Sequence, residues 1–318
     1  MSIIFILIIS FLALLWAANH LVTGAKGLSQ HYRISPLILG LTVVALGTSA
    51  PEIVLAIFAA FKEQNNITLG NAIGSNIANI GLVLGITMLI RPMGLNPNLL
   101  KKAYPVLIIA MLFVYSSILD GFLGQIDGCL FLLGCIGLIS FFIHLAHQNP
   151  GTSLFTKELK PIIQSKRTLK LDVFSIILGL IILPISARYV LISATELARW
   201  LGVSDLTIGL TVVAIGTTLP ELATAVTAAF KGEESLALGT ILGSNIYNLL
   251  LILSFPALLN PAAVNNTVLW RDMPVLIFLC ALLIFLNFYY KNKCSRCQGG
   301  ILLLVYCSYI ASLIIRAA

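Results

Sequence analysis

Two carboxylates lie deep within apolar stretches that are long enough to cross a membrane. The chain of 318 residues has twelve Asp and Glu residues, and ten of them fall in loops or near the ends of such stretches. The exceptions are Glu52 in GTSAPE and Glu221 in GTTLPE. A charge at the bilayer centre costs at least about 2.5–3.5 kcal/mol, so an ionisable residue at that depth indicates a functional site. A salt bridge between helices is disfavoured, because no Lys or Arg is found at a similar depth in the sequence.

Hydroxyl and amide groups accompany both carboxylates at matching positions. Two hydroxyl residues precede each Glu, and the motifs GSNIAN and GSNIYN follow in the next apolar stretch. The Ser and the second Asn of each GSN motif are four residues apart, which places them on one face of a helix. The polar residues singled out in this way are Thr48, Ser49, Ser75, Asn79, Thr217, Thr218, Ser244 and Asn248.

The remaining residues of the GSN motifs have a structural interpretation. Gly74 and Gly243 are small enough to let two helices approach closely. Asn76 and Asn245 could serve only as hydrogen bonds between helices, which is a common use of Asn in lipid. The sequence does not decide between that use and a place in the site.

Gly and Pro beside the hydroxyl residues predict broken helices. Gly loosens a helix, and Pro removes one backbone N–H and breaks the hydrogen-bond ladder. Unwound backbone is tolerated at membrane depth where it lines a polar cavity. We expect the released carbonyls to point at an ion and to be those of Ala45, Thr48, Ala214 and Thr217. A simple proline kink would explain either copy alone.

All of these groups bind through oxygen, which indicates a hard cation. Ca2+ takes six to eight oxygen ligands, and Na+ also prefers oxygen. Two carboxylates would neutralise one Ca2+. The four His residues lie outside the motifs, and no Cys falls within them, so Zn2+ and Cu+ are disfavoured.

The composition makes the lipid bilayer the main solvent. Hydrophobic residues make up 59% of the chain and charged residues 10%, with a mean hydropathy of +1.02. A soluble domain carries about 25% charged residues. We predict an all-α integral membrane protein with about ten transmembrane helices, the first of which is the N-terminal apolar stretch rather than a signal peptide, since no Lys or Arg precedes Lys26. The predicted spans are 2–20, 34–60, 67–90, 103–119, 128–146, 172–196, 206–230, 237–258, 273–290 and 299–316.

The basic residues predict the orientation in the membrane. With both termini outside, 14 of the 19 Lys and Arg residues fall in cytoplasmic segments and 5 outside, as the positive-inside rule requires. The net charge of +7 then reflects cytoplasmic loops and not a nucleic-acid partner. A basic cytoplasmic linker at 147–171 would separate the five-helix halves 1–146 and 172–318. The location expected is the plasma (inner) membrane.

The two halves contain a repeat. Residues 37–86 and 206–255 match at 25 of 50 positions without a gap, and apolar bias does not explain the shared GLTVVA, AAFK and GSNIxN. Five predicted spans, an odd number, separate equivalent points, so the copies enter the membrane from opposite sides. Inverted repeats of this kind form an inward-open and an outward-open gate around a midplane site.

The paired motifs GTSAPE…GSNIAN and GTTLPE…GSNIYN resemble the two alpha-repeats of the sodium/calcium exchanger family, within the cation/calcium antiporter superfamily. The resemblance implies ten helices, alternating access, and competition of Na+ and Ca2+ for overlapping sites formed by Glu52, Glu221 and the hydroxyl and amide residues named above. The chain is similar to the short prokaryotic members. Asn248 stands where some members carry an acidic residue, and Thr218 stands where many carry Ser.

Three other functions compete with Na+/Ca2+ exchange. A H+/Ca2+ antiporter is the nearest, because carboxylates in a partly desolvated site can bind protons. A cation channel also uses carboxylates, but a repeat within one chain favours alternating access. An enzyme is disfavoured, because Ser49 has no His near it to act as a base. No cofactor and no obligate protein partner are predicted, and Cys294 and Cys297 form only half of a zinc site.

Overall fold

The computed structural model describes residues 2–94, 97–147, 167–202, 208, 214–289, 293–294 and 296–317, and these are nearly all helical. The helices are α1 Ser2–Tyr32, α2 Pro36–Thr48, α3 Ala50–Phe61, α4 Asn65–Ile90, α5 Pro97–Ile118, α6 Gln125–His147, α7 Leu169–Trp200, α8 Ala214–Thr217, α9 Leu219–Phe230, α10 Glu234–Leu259, α11 Val268–Tyr289 and α12 Arg296–Ala317. Four strands of two residues each are β1 Met93–Gly94, β2 Phe122–Leu123, β3 Ala262–Ala263 and β4 Lys293–Cys294.

The predicted all-helical membrane architecture is confirmed. Among the described residues, seven helices are long and apolar enough to span a membrane, or eight if α2 and α3, which meet at 48°, form one span. Two shorter apolar helices are Ala103–Ile118 and Leu219–Phe230. The count of ten and the division into halves stay predictions, because most of the linker 147–171 and residues 209–213 of the second repeat lie outside the described residues.

One predicted span proved more regular than its sequence suggests. Charged residues interrupt the apolar pattern of 172–196, yet α7 is a single helix of 32 residues. It packs along α1, where Gly179 lets the two backbones approach: a Cβ there would lie 2.9 Å from the Leu21 nitrogen. The helix therefore continues through its charged positions while it packs along α1.

The helices that carry the GSN motifs form the centre of the molecule. In their most apolar stretches, 78% of α4 and 94% of α10 is buried, against 22% for α1, α6 and α12. The outer helices present large apolar side chains such as Phe5 and Phe174, which are 65% and 59% exposed. Exposed apolar surface of this extent fits a lipid-facing exterior.

Close helix crossings bring α2 against α10. A Cβ on Gly40 would lie 2.6 Å from the Leu236 carbonyl, and one on Gly243 would lie 2.7 Å from the Leu41 carbonyl. The expectation that Gly243 allows close approach is therefore confirmed. By the repeat, the matching neighbours of Gly74 fall at positions 210 and 214, largely outside the described residues, so that expectation stays a prediction.

Two small strand pairs mark the opposite ends of the bundle. β1 pairs with β4 and β2 pairs with β3, both antiparallel, and α5 connects β1 to β2. At the β1–β4 end, Lys26 pairs with Glu233 at 2.6 Å, and Arg91 donates to the Phe230 carbonyl at 3.1 Å. At the β2–β3 end, Asn65 donates to the Asn260 carbonyl. Basic residues predicted to share the cytoplasmic side thus gather at the β1–β4 end; the side of the membrane that this end faces stays a prediction.

Candidate cation site

The two GT-x-x-PE motifs each break a helix at the same place. The break between α2 and α3 falls at Ser49 (φ −82°, ψ 6°), and that between α8 and α9 falls at Thr218 (φ −94°, ψ 5°). Pro51 and Pro220 occupy the start of the second segment in each case, where the missing N–H of proline is tolerated. The predicted broken helices are confirmed.

The carboxylates follow these breaks in the first turn of α3 and α9. Glu52 is 2% exposed and Glu221 is 1% exposed, and the two are close enough to interact electrostatically. The positive end of a helix dipole favours a carboxylate in its first turn. In the described part of the chain no Lys or Arg forms an ion pair with either group. Both carboxylates are therefore buried inside the protein, and the alternative of a salt bridge is not observed among the described residues.

Hydroxyl groups from both motifs surround one carboxylate. The Ser49 hydroxyl lies 3.4 Å from Oε1 of Glu221, and the Ser244 hydroxyl lies 3.5 Å from the same atom. Thr48 Oγ1 lies 3.3 Å from Ser244 Oγ. These distances are at the long limit of hydrogen bonding. The oxygens therefore lie close together, but the hydrogen bonds between them are long.

The second Asn of each GSN motif begins a segment of π-helix. These segments are Asn79–Leu84 in α4 and Asn248–Ile252 in α10. Both Asn side chains are 1% exposed. π-Helical turns are rare and occur frequently at functional sites. The equivalence of the two segments supports a shared role of both Asn residues.

Several oxygens at the breaks are buried without a hydrogen-bond donor. Within the described ranges these include Oε2 of Glu52, Oε2 of Glu221, Oδ1 of Asn79 and Oδ1 of Asn248. Buried polar atoms almost always have partners, so four unpartnered acceptors of matching position indicate a ligand. A cation satisfies acceptor oxygens, whereas an anion does not. No group of three or more His, Cys, Asp and Glu residues occurs in the described part, so neutral oxygens would complete the coordination.

One predicted carbonyl is not released. The Ala45 carbonyl accepts the Ser49 N–H at 3.0 Å and the Thr48 hydroxyl at 3.2 Å, so it is not released from the helix, and its role as an ion ligand stays a prediction. The reason is the spacing: Pro51 removes the donor four residues after Gly47, not after Ala45. By the same spacing Pro220 removes the donor to the Gly216 carbonyl.

The other predicted residues lie at the helix breaks or on α4 and α10. Thr217 is half-buried and Ser75 is buried. Thr218 is buried, and its hydroxyl donates to the Ile215 carbonyl at 3.0 Å. Of Ala214 only the backbone at the start of α8 is described. These four residues stay predicted ligands.

Asn245 makes a hydrogen bond between helices, which is one of the two uses that the sequence left open: Asn79 Nδ2 donates to Asn245 Oδ1 at 3.0 Å. A further residue, Thr224, was not evident from the sequence. It is fully buried one turn after Glu221, and its hydroxyl has no partner among the described residues. The isolated hydroxyl in an apolar stretch could have indicated it, but the first repeat has Leu55 at that position.

The chain is similar in sequence and in fold to membrane transporters that exchange cations. The profile of the family described as sodium/calcium exchanger protein matches residues 2–146 and 171–315. The chain belongs to the sodium/calcium exchanger family, which confirms the resemblance seen in the paired motifs. It is accordingly a multi-pass membrane transporter.

Individual relatives cover nearly the whole chain. The Escherichia coli inner membrane protein YrbG is 37% identical over 276 residues, which are 86% of this chain and 85% of that protein. The sodium/calcium exchanger MaX1 of Methanosarcina acetivorans is 30% identical, with 97% of each chain covered. A solved structure of the sodium-calcium exchanger NCX_Mj, soaked with zero Na+ and Ca2+, superimposes with a TM-score of 0.82 and 31% identity over 98% of both chains.

Proposed function

We propose that the chain exchanges Na+ for Ca2+ across the cell membrane as a secondary active antiporter. Its family membership makes it a cation exchanger, and relatives of similar length are sodium/calcium exchangers by name. The observation that carries the proposal is the buried pair Glu52 and Glu221. Hydroxyl oxygens from both copies of the repeat lie beside Glu221, and no cationic side chain of the described residues neutralises the pair.

The charges of the site match one Ca2+. Glu52 and Glu221 would together neutralise the ion, and neutral hydroxyl and amide oxygens would fill the six to eight positions that Ca2+ prefers. Na+, which carries a lower charge, would bind to some of the same oxygens. The full set of proposed ligands is Glu52, Glu221, Thr48, Ser49, Ser75, Asn79, Thr217, Thr218, Ser244, Asn248 and the Ala45 and Ala214 carbonyls.

An inverted repeat would give the site access from both sides in turn. In support, α3 and α9 run from their breaks to opposite ends: Phe61 leads to Asn65 at the β2–β3 end, whereas the Phe230 carbonyl accepts Arg91 at the β1–β4 end. Because α3 and α9 lead to opposite ends, the two copies would open the site toward opposite sides of the membrane. We therefore propose ten spans in two inverted halves, with both termini outside and a complete site within one chain.

Uptake of 45Ca2+ into proteoliposomes loaded with Na+ tests the proposal. The pH is equal on both sides and a protonophore is present, and vesicles loaded with choline are the matched control. Uptake that depends on the outward Na+ gradient is expected. Equal uptake in Na+-loaded and choline-loaded vesicles contradicts Na+ coupling.

A H+/Ca2+ antiporter is the second candidate, and the absence of a cationic partner for Glu52 and Glu221 among the described residues is the observation that favours it. Protons could neutralise the two carboxylates when Ca2+ leaves. Uptake that appears only under an imposed pH gradient, without protonophore, would establish this alternative. Single-channel current steps in a planar bilayer would instead indicate a channel.

A further inference from the structure

A hydrogen bond between α4 and α10 determines which edge of the Asn79 amide faces the site. Asn79 Nδ2 donates to Asn245 Oδ1 at 3.0 Å. Asn79 is 1% exposed and Asn245 is 0% exposed, so water does not compete for this bond. Asn79 Oδ1 has no donor within the described part of the chain.

The two edges of an amide act oppositely on a cation. The carbonyl oxygen is an acceptor that can coordinate a metal ion, whereas the NH2 group carries donor hydrogens that repel it. Rotating the Asn79 amide by half a turn would exchange these edges. With the Asn245 amide in its present orientation, its oxygen opposes that rotation, because it would then face the Asn79 oxygen.

Among the described residues, this hydrogen bond has no counterpart at the equivalent positions of the repeat. Asn76 occupies the position in the first copy that Asn245 occupies in the second, and Asn248 corresponds to Asn79. Neither side-chain atom of Asn76 has a hydrogen-bond partner in the described residues, although the side chain is 0% exposed. The sequence equivalence of the two GSN motifs therefore does not extend to their hydrogen bonding.

We infer that Asn245 is a positioning residue for Ca2+ binding, which holds the Asn79 amide with its oxygen toward the ion. The inference rests on the proposed function, in which Asn79 is a ligand. Partners that orient a metal ligand in this way change metal affinity by about 10–100-fold when they are removed. Asn245 would thus act on the ion through Asn79 and without touching it.

A double-mutant cycle on Ca2+ binding tests this inference. The variants are Asn245→Leu, Asn79→Ala and the double substitution, each measured by equilibrium binding of 45Ca2+ to purified, monodisperse protein. Asn245→Leu is expected to weaken Ca2+ binding by about tenfold or more. In the Asn79→Ala background the same change is expected to weaken it by less than about twofold, because the oriented ligand is already absent.

Asn76→Leu is the matched comparison, since it removes a buried amide from the equivalent position. The fold-change in Ca2+ affinity that it causes is expected to multiply with the fold-change caused by Asn79→Ala, because the two side chains share no hydrogen bond. A general loss of packing in Asn245→Leu would lower the yield of folded protein but would not produce coupling to Asn79. Asn245→Ser, whose hydroxyl is too short to reach Asn79, gives the same test if the Leu variant does not fold.

Two results would overturn the inference: unchanged Ca2+ binding in Asn245→Leu, or full multiplication of the Asn245 and Asn79 effects. Equilibrium binding does not depend on the coupling ion. Failure of Na+-driven uptake in the wild type would therefore count against the proposed function alone, while the binding cycle would still decide the role of Asn245.

Discussion

Ser49 and Glu221 are 172 residues apart in the chain, yet the Ser49 hydroxyl lies 3.4 Å from a carboxylate oxygen of Glu221. One residue belongs to the break in the first repeat and the other to the break in the second. The first repeat therefore supplies part of the surroundings of the second repeat's carboxylate. A site built in this way responds to any movement of one half against the other.

Removing either carboxylate charge is expected to abolish transport. Glu52→Gln and Glu221→Gln leave a single negative charge for Ca2+, and Ca2+ affinity depends strongly on the number of charged ligands. We expect the affinity for 45Ca2+ to fall by more than about tenfold in each variant. Size-exclusion chromatography should show folded protein for both.

Glu63→Gln is the control for these variants, because Glu63 is an exposed carboxylate in the loop after α3. It should bind Ca2+ as the wild type does. Normal Ca2+ transport in both Glu52→Gln and Glu221→Gln would refute the site.

Ser244→Ala is expected to weaken Ca2+ binding without unfolding the protein. The Ser244 hydroxyl lies near both Glu221 and Thr48, and its removal takes away one of the neutral oxygens proposed to coordinate Ca2+. The half-saturating Ca2+ concentration for uptake should therefore rise, by about tenfold. Ser186→Ala is the control, since the Ser186 hydroxyl bonds only to backbone carbonyls of its own helix among the described residues. Equal half-saturating concentrations in the two variants would exclude Ser244 from the site.

Gly243→Ala is expected to destabilise the crossing of α2 and α10. A Cβ at this position would lie 2.6 Å from the Ala45 Cβ and 2.7 Å from the Leu41 carbonyl, and overpacking of this kind costs about 1–3 kcal/mol. The thermal midpoint of monodisperse protein in detergent should fall. Gly137→Ala is the control, because Gly137 is exposed and its Cβ would meet open space among the described residues. A wild-type midpoint for Gly243→Ala would show that α2 and α10 can separate without cost.

Asp172→Asn is expected to lower stability and leave Ca2+ binding intact. Asp172 is fully buried at the β1–β4 end and pairs with His31 at 3.1 Å and Arg167 at 3.4 Å. Loss of the charge weakens both pairs, and we expect a cost of about 1–3 kcal/mol, since Arg167 and His31 are partly exposed. The thermal midpoint should fall, whereas the half-saturating Ca2+ concentration should stay within about twofold of the wild type.

Asp127→Asn serves as the comparison for Asp172→Asn, because Asp127 accepts only a backbone N–H at the start of α6 among the described residues. It should change the midpoint less. A large loss of Ca2+ affinity in Asp172→Asn would instead connect the β1–β4 end to the site.

The sequence alone was sufficient to find the membrane architecture, the repeat and the two central carboxylates. These follow from local chemistry: apolar runs require lipid, and a carboxylate such as Glu52 or Glu221 within such a run requires a function. Gly and Pro marked the helix breaks correctly, because their effect on backbone geometry depends on few neighbours. The Ala45 carbonyl was expected to be released but keeps its helical hydrogen bond, since the released acceptor depends on the register of the hydrogen-bond ladder.

Only the tertiary structure decided how the two copies of the motif differ. Their sequences place Asn76 and Asn245 in equivalent positions, but of the two only Asn245 has a hydrogen-bond partner among the described residues. The depth of Asp172, which the sequence places at a span end, also became evident only from the packing of α1 against α7. Side-chain partners across helices depend on the relative placement of whole helices, which small close-packed residues such as Gly243 determine through contacts far apart in the chain.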